Sequence, residues 1–229
     1  MMHASRFFLP IALAAACCPA SAAAPIGIRE LVESFDSAQA RADTIVAPFT
    51  LTIQRAMLRA PAVSTGTLYL SGSDCAHFEF APPEDLAIHL TNKTLLTLNR
   101  AEKKGEALQM RLIKKVDRKA LSLGRKLASF SDYFKLEATE AENPGEILVT
   151  LRPRSLSMKK RTELVQVWMD KQTNLPKRFK WVERGGDAWL LELGRIRTNA
   201  AIPAPVLNFA LPPGIQAKRG FSFFDSKGK

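Results

Sequence analysis

The side chains that could do chemistry in this sequence are few and lie close together. His77 and His89 fall in two short segments, AHFEF and LAIHL, which alternate apolar and polar residues as a half-buried β-strand does. If the two segments form a hairpin across APPED, Phe78 lies opposite Ile88 and His77 lies opposite His89. Two histidines supply at most half of a metal site. The pattern therefore favours an ordinary solvated cross-strand pair and predicts no metal site.

Cys75, just before AHFEF, is a second candidate because a thiolate can act as a nucleophile. No histidine and acid stand beside it in the sequence, and an isolated cysteine is more often a small buried hydrophobe. Acidic pairs such as Glu84 with Asp85 fall in predicted turns, without apolar surroundings that would raise a pKa. The motifs of metalloproteases, serine hydrolases, phosphate-binding loops and redox dithiols are absent. The sequence predicts no enzyme and no cofactor.

The first residues are typical of a secretory signal. Arg6 precedes an apolar run from Phe7 to Ala16, and small residues at alternate positions follow up to Ala24. This run is too short to cross the roughly 30 Å of hydrocarbon in a bilayer. Cys17 and Cys18 raise the alternative of a lipid anchor, which is disfavoured because the nearest leucine stands four rather than three residues before Cys17. We expect a leader over 1–24, a single domain over 25–229, and export to the periplasm.

The chain is strongly basic, and this charge limits the choice of partners. Its formal net charge is +11, and removal of the leader would leave 32 basic and 22 acidic residues, or +10. A basic exported protein tends to meet anionic lipid surfaces or acidic partners, and nucleic acid is not expected for an exported chain. The alternative is that the charges only solvate the outer faces of strands.

Apolar residues spaced three and four positions apart predict two amphipathic helices. The first has its stripe at Ile28, Leu31, Val32, Phe35 and Ala38. The second spans 111–128 and carries seven arginines and lysines beside its apolar stripe. It could close an apolar sheet as a lid, touch an anionic membrane transiently, or be a solvated outer helix.

Between and after these helices the apolar residues follow a period of two, which predicts about eleven short antiparallel strands. The pair Gly185-Gly186 predicts a tight hairpin, which would place Trp181 opposite Leu190 and Val182 opposite Trp189. The last predicted strand is LNFAL. The predicted strands lie in these segments: PFTLTIQR, GTLYL, AHFEF, LAIHL, TLLTL, KLEA, EILVTLRP, ELVQVWM, PKRFKWVER, DAWLLELG and LNFAL.

This element count bears on function. One or two helices laid across about eleven curved strands would leave an apolar cavity rather than a filled core, and such a cavity is the default hypothesis for a binding site. The alternative is a sandwich of two sheets packed on each other, which needs no cavity.

The order of these segments resembles the periplasmic outer-membrane lipoprotein carrier family, the LolA-like proteins. The matching pieces are the first helix followed by PFTLTIQ, then GTLYL, FEFAPPEDLAIHLTNKTLLTLN and FKWVERGGDAWLLELGRIRTNAAIPAPVLNFALPPGI. The resemblance implies an incomplete antiparallel barrel with a helical lid over an apolar cavity that accepts acyl chains. It also implies an inner-membrane exporter as donor and an outer-membrane acceptor. Family members carry a basic residue and a proline where this chain has Ser71-Gly72-Ser73, which fits a divergent member with another lipid or hydrophobic product as cargo.

These observations predict a non-catalytic carrier of lipoprotein or lipid. The alternative is an envelope interaction or sensor module of the same fold without transferable cargo. Leu31 and Phe35 are assigned to the lid. The residues expected to line the cavity are Phe49, Leu51, Leu68, Leu70, Phe78, Phe80, Ile88, Val149, Val167 and Phe209.

Overall fold

The structure is a computed structural model that describes residues 27–72, 74–110 and 127–220. The first predicted helix is confirmed as α1, Ile28–Ala40. Its buried side chains are Leu31, Phe35 and Ala38, three members of the predicted stripe. Most of the second predicted helix, 111–128, lies outside the described residues, and Leu127–Phe130 forms a short 3₁₀ helix.

Strands dominate the rest of the chain. Two further single helical turns span Leu156–Lys159 and Ala204–Leu207. The strands are β1 Thr44–Gln54, β2 Ala62–Ser71, β3 Cys75–Phe80, β4 Leu86–Thr91, β5 Thr94–Asn99, β6 Lys104–Gln109, β7 Phe134–Glu140, β8 Glu146–Pro153, β9 Thr162–Asp170, β10 Pro176–Glu183, β11 Ala188–Leu193, β12 Arg197–Thr198 and β13 Ala217–Arg219.

All thirteen strands belong to one open sheet, which confirms a mainly β fold with few helices. The spatial order is β13-β6-β5-β4-β3-β2-β1-β11-β10-β9-β8-β7, and β12 pairs with β1. Two antiparallel meanders, β1 to β6 and β7 to β11, are joined where β1 pairs with β11. The sheet is mixed rather than purely antiparallel, because β13 runs parallel to β6.

Three local predictions need correction. LNFAL is not a strand: Ala204–Leu207 is a helical turn, and the residues after it cross the sheet without pairing until β13. The strand β6 went unpredicted because KGEALQ lacks clear alternation. The last hairpin is shifted by one residue, so that Trp181 lies opposite Trp189 and Val182 opposite Ala188. The shift follows from a longer turn, in which the amide of Glu183 donates to the carbonyl of Asp187 and only Gly186 of the two glycines has positive φ, at +87°.

The two faces of the sheet are covered differently. On the face called inner here, which carries Leu68 and Val149, α1 packs against β7, β8 and β9 through Leu31 and Phe35. The opposite, outer face of β3 to β6 is covered by the chain from 204 to 216, called the C-terminal strap. Gly105 in β6 lets the strap approach closely, because a Cβ there would stand 2.8 Å from a methyl of Leu211.

Candidate ligand-binding face

The strand registers place a continuous row of apolar side chains across the inner face. Leu51 lies opposite Leu191, Leu191 opposite Phe179, and Phe179 opposite Val167. Val167 in turn lies opposite Val149. Because side chains alternate between faces along a strand, the residues two positions away extend this apolar surface along each strand.

Nine of the ten residues predicted to line a cavity lie on this inner face, in two clusters. The first cluster contains Phe49, Leu51, Leu68, Leu70, Phe80 and Ile88, with Phe78 packed against it. The second contains Val149 and Val167 together with the predicted lid residues Leu31 and Phe35. The structure thus brings the lid residues and the β8 and β9 residues into contact.

Phe209 does not share this surface. Its ring lies 5.0 Å from that of His77, which points away from Phe78 because the two are adjacent in β3. Phe209 is therefore on the outer face, where the C-terminal strap crosses the sheet. The assumption that it belongs to a strand of the barrel placed it on the wrong side.

A glycine sets the packing of aromatic rings in the first cluster. The Phe49 ring meets the rings of Phe78 and Phe80 edge to face, with centroids 5.6 and 5.0 Å apart. Gly66 lies opposite Phe49 in β2, and a Cβ at this position would come within 2.2 Å of the Glu79 carbonyl and 2.7 Å of the Phe49 ring. Any larger residue at position 66 would displace β3 or the Phe49 ring.

Between the two clusters the described residues cover the inner face only in part. Phe179 contacts both clusters and is partly exposed, as are Trp181 beside it and Trp189 across the hairpin. These three aromatics were not among the predicted lining residues, and the predicted register put Trp181 and Trp189 on different faces. The corrected pairing places both on the inner face, and we call Phe179, Trp181 and Trp189 the aromatic row.

Both ends of the aromatic row carry polar groups. At one end Arg55 stacks over Trp189 and its guanidinium lies 2.7 Å from Asp187. At the other, a cleft of about 460 Å³ opens beside the last turn of α1. The floor of this cleft includes Ala38 and Leu175 of the first cluster. Its rim is polar and carries three basic side chains and one acid, of which Lys177 and Asp170 pair with each other at 2.7 Å. The other polar residues of the rim are Arg41, Thr173, Arg195, Thr198 and Asn199.

Asn199 holds this rim in place. Its backbone has a φ of +54°, a conformation that asparagine tolerates better than most residues. Its side-chain oxygen accepts from the amide of Asp43 at 2.9 Å, and its amide group donates to the Arg41 carbonyl at 3.3 Å. The Asn199 turn therefore ties the chain after β11 to the start of β1.

The two histidines face each other as predicted, but they are buried rather than solvated. Only 1% of His77 and 4% of His89 is exposed, because Phe209 of the C-terminal strap covers both rings. Their Nδ1 atoms lie 3.2 Å apart. The Nε2 of His77 lies 2.9 Å from the Glu79 carboxylate, which also pairs with Arg100.

Burial favours the neutral forms of the two histidines and of Cys75. It lowers the pKa of His89 to about 4, with the neighbouring His77 adding to the shift, and it lowers the pKa of His77 despite the nearby Glu79. For Glu79 burial opposes the change, yet hydrogen bonds from Arg100 and His77 lower its pKa. Burial also raises the pKa of Cys75, whose sulfur lies 4.0 Å from Nε2 of His89. A protonated thiol beside a weakly basic imidazole is not an activated nucleophile.

The described residues carry no arrangement of three or more histidine, cysteine, aspartate or glutamate side chains that could hold a metal ion. Across the same residues, no helix has the length and apolar character needed to cross a membrane.

Comparison with protein-family models assigns residues 40–210 to the family described as outer membrane lipoprotein carrier protein LolA. The chain belongs to this family. The matched range begins at the end of α1 and extends into the C-terminal strap, so that it includes β1 to β12. A search of curated protein sequences finds no significant match.

One solved structure of low sequence identity shares the fold of this LolA family member, and others superpose less well. An uncharacterized conserved protein from Thermus thermophilus superposes with a TM-score of 0.50 at 12% identity, covering 84% of this chain and 99% of the other. A LolA superfamily protein from Nitrosomonas europaea gives a TM-score of 0.42 at 10% identity, covering 79% and 97%. A lipoprotein-sorting protein domain from Vibrio parahaemolyticus gives 0.43 at 12% identity, covering 80% and 97%.

Proposed function

We propose that this protein is a periplasmic, non-catalytic carrier that binds the acyl chain of a lipoprotein or of another lipid on the inner face of its sheet. The observation that carries the proposal is the aromatic row, because it is an apolar surface that α1 leaves partly exposed between two buried clusters. Membership of the LolA family supports the same class of cargo.

The cleft beside α1 offers an entrance to this surface. Its volume of about 460 Å³ falls within the range typical of small-ligand sites. An apolar floor with a basic rim suits a ligand that has a hydrocarbon chain and a polar or anionic head. We place the head of the cargo at the rim and its chain toward the aromatic row.

Partial burial is what a carrier requires. Each methylene removed from water contributes about 0.8 kcal/mol, so that complete burial of a sixteen-carbon chain would contribute on the order of 12 kcal/mol. Such a gain would make release very slow. Partly exposed aromatic side chains can bind an acyl chain without enclosing it, so that the chain can still be released to an acceptor.

The polar chemistry of the outer face fits a protein without catalysis. His77 and His89 are buried beneath the C-terminal strap with lowered pKa values, and the partly exposed Cys75 has a raised pKa, so they offer neither a strong base near neutral pH nor a thiolate. The donor and the acceptor are proposed from the family alone: an inner-membrane exporter that loads the carrier, and an outer-membrane protein that receives the cargo.

The three tryptophans of the chain provide a direct test, because they lie on different faces. Trp181 and Trp189 belong to the aromatic row, whereas Trp168 stacks under Arg178 on the outer face, with the guanidinium carbon 4.7 Å from the ring centroid. Three variants would each keep one tryptophan and replace the other two by phenylalanine. Dibrominated stearic acid quenches tryptophan fluorescence only at short range.

We expect the brominated chain to quench the variants that retain Trp181 or Trp189, and to leave the variant that retains Trp168 bright. Unbrominated stearic acid is the control for changes in fold. Equal quenching of all three variants would mean that the fatty acid associates non-specifically. No quenching of any variant would refute the carrier proposal and favour an envelope interaction module whose interior is filled by its own side chains.

A further inference from the structure

We infer that one end of the sheet, formed by three neighbouring loops, is a docking surface for anionic phospholipid bilayers. The loops are the β1–β2 loop at 55–61, the β8–β9 connection at 154–161 and the β10–β11 turn at 183–187. We call them together the loop end. The inference goes beyond the proposed function, because it assigns a second partner to exposed loops outside the proposed cargo cleft.

The topology places these loops side by side. In the spatial order β2-β1-β11-β10-β9-β8, each of the three connections joins a pair of adjacent strands at the same end of the sheet. Direct contacts hold them together. The amide of Ala56 donates to Asp187 at 2.8 Å, and Arg184 donates to the carbonyls of Arg161 and Lys159 at 2.9 and 3.0 Å.

Large apolar side chains project from this loop end into solvent. Met57 is 97% exposed, Leu156 is 78% exposed, and Leu58 is 46% exposed. Ser155 caps the turn that carries Leu156, accepting a hydrogen bond from the amide of Met158, so that Leu156 is held outward by ordered backbone. Apolar side chains held in solvent by ordered loops mark an interaction surface.

The charge around these apolar residues selects the partner. The three loops contain seven arginines and lysines and two acids, a net charge of +5. One of the acids, Asp187, already pairs with Arg55, and Asp132 and Glu163 flank the loop end in neighbouring segments. Within the part of the chain that the structure describes, Arg59, Lys159 and Lys160 form no salt bridge and are exposed.

Exposed Met and Leu surrounded by unpaired basic side chains match the boundary of an anionic bilayer. The apolar side chains would enter the headgroup region, while the ammonium and guanidinium groups would meet lipid phosphates. An acidic protein surface would pair with the basic side chains, but it would not explain the exposure of Met57 and Leu156. Within the loop end, the Arg55–Asp187 pair also forms one end of the aromatic row, because Arg55 stacks over Trp189.

The test measures partition of the full chain onto vesicles. The vesicles contain phosphatidylcholine alone or phosphatidylcholine with phosphatidylglycerol. We expect binding to the anionic vesicles, loss of binding at high salt, and little binding to phosphatidylcholine alone. The triple variant Arg59→Gln, Lys159→Gln, Lys160→Gln should weaken binding by about 100-fold, at about fivefold for each charge removed.

Two variants with the same loss of charge serve as controls. Replacing Arg197, Lys218 and Arg219 by glutamine removes three exposed charges away from the loop end and from the cleft. Replacing Lys114, Lys115 and Arg118 by glutamine tests the basic 111–126 segment as the rival location. Both should weaken binding by less than tenfold, and a loss in either that equals or exceeds that of the loop-end variant would overturn the inference.

The apolar contribution is tested separately. The double variant Met57→Ser, Leu156→Ser should weaken vesicle binding about tenfold, whereas Leu207→Ser, at an exposed leucine in the C-terminal strap, should change it little. Failure to bind either type of vesicle would overturn the inference and leave an acidic protein as the partner. Quenching by brominated stearic acid in the same preparations reports the cargo site independently, so that the two proposals fail separately.

Discussion

The pair of buried histidines predicts that acidification weakens the fold. The pKa of His89 lies at about 4 in the folded protein, below its ordinary value of 6.5. Between these values the unfolded chain binds more protons than the native one, so that stability falls as pH falls. The stabilisation is complete above about pH 6.5 and is lost as the pH decreases toward 4. The lowered pKa of His77 acts in the same direction.

The magnitude follows from the size of the shift. Each tenfold change in proton affinity corresponds to about 1.4 kcal/mol, so complete protonation of His89 should lower the free energy of unfolding by about 3 kcal/mol. At about pH 5 the free energy of unfolding should already be about 2 kcal/mol lower than at neutral pH. For a domain of this size the loss corresponds to a decrease in Tm of roughly 4–8 °C.

Urea unfolding of the wild-type protein and of His89→Gln, at about pH 7.5 and about pH 5, measures the effect. The variant lacks the titrating ring, so that the wild type should lose about 2 kcal/mol more than the variant between the two pH values. The chain contains three histidines, one of them in the predicted leader, and side-chain NMR can therefore follow His77 and His89 directly. A titration of His89 near 6.5, or equal losses in both proteins, would refute the reasoning.

Other contacts predict separate effects on stability and on the histidine pair. Gly66→Ala should cost about 3 kcal/mol in urea unfolding because its Cβ collides with the Glu79 carbonyl and the Phe49 ring, whereas Gly185→Ala, with no atom within 4 Å, should stay within about 0.5 kcal/mol. Asn199→Ala should cost about 1–2 kcal/mol because the amide of Asp43 loses its acceptor, and Asn199→Asp, which keeps an acceptor, should cost less; equal losses would show that the side-chain oxygen is unimportant. Phe209→Ala should expose the imidazoles and raise the pKa of His89 toward 6.5 in the NMR titration, and an unchanged pKa would mean that the strap does not desolvate the pair.

The sequence was sufficient to predict most of the strands and most of the apolar surface. Alternation at Phe78 and Phe80, and again at Val149 and Val167, identifies which side chains share a face, because the period of two is a local property of an extended chain. The order of the segments was enough to indicate the family, which the match over 40–210 confirms.

What failed depended on contacts between distant parts of the chain. Alternation separates His77 from Phe78 but does not say which face is covered, and only the strap after residue 204 makes the histidine face dry. The register of the last hairpin depended on turn length, so a single extra residue moved Trp181 from Leu190 to Trp189. Because of that one-residue difference, the sequence did not predict that Trp181 and Trp189 share a face.

The position of β1 has a consequence for how the molecule forms. β1 pairs with β2, its neighbour along the chain, and with β11, which begins more than a hundred residues later. The two meanders can therefore be assembled locally, but the seam between them cannot close until residues up to Leu193 are available. Until then one edge of β1, eleven residues long, has no partner and can pair with another chain. Folding should be slow, governed by this single long-range closure, and a chain delivered in order from its first residue needs protection of that edge until β11 arrives.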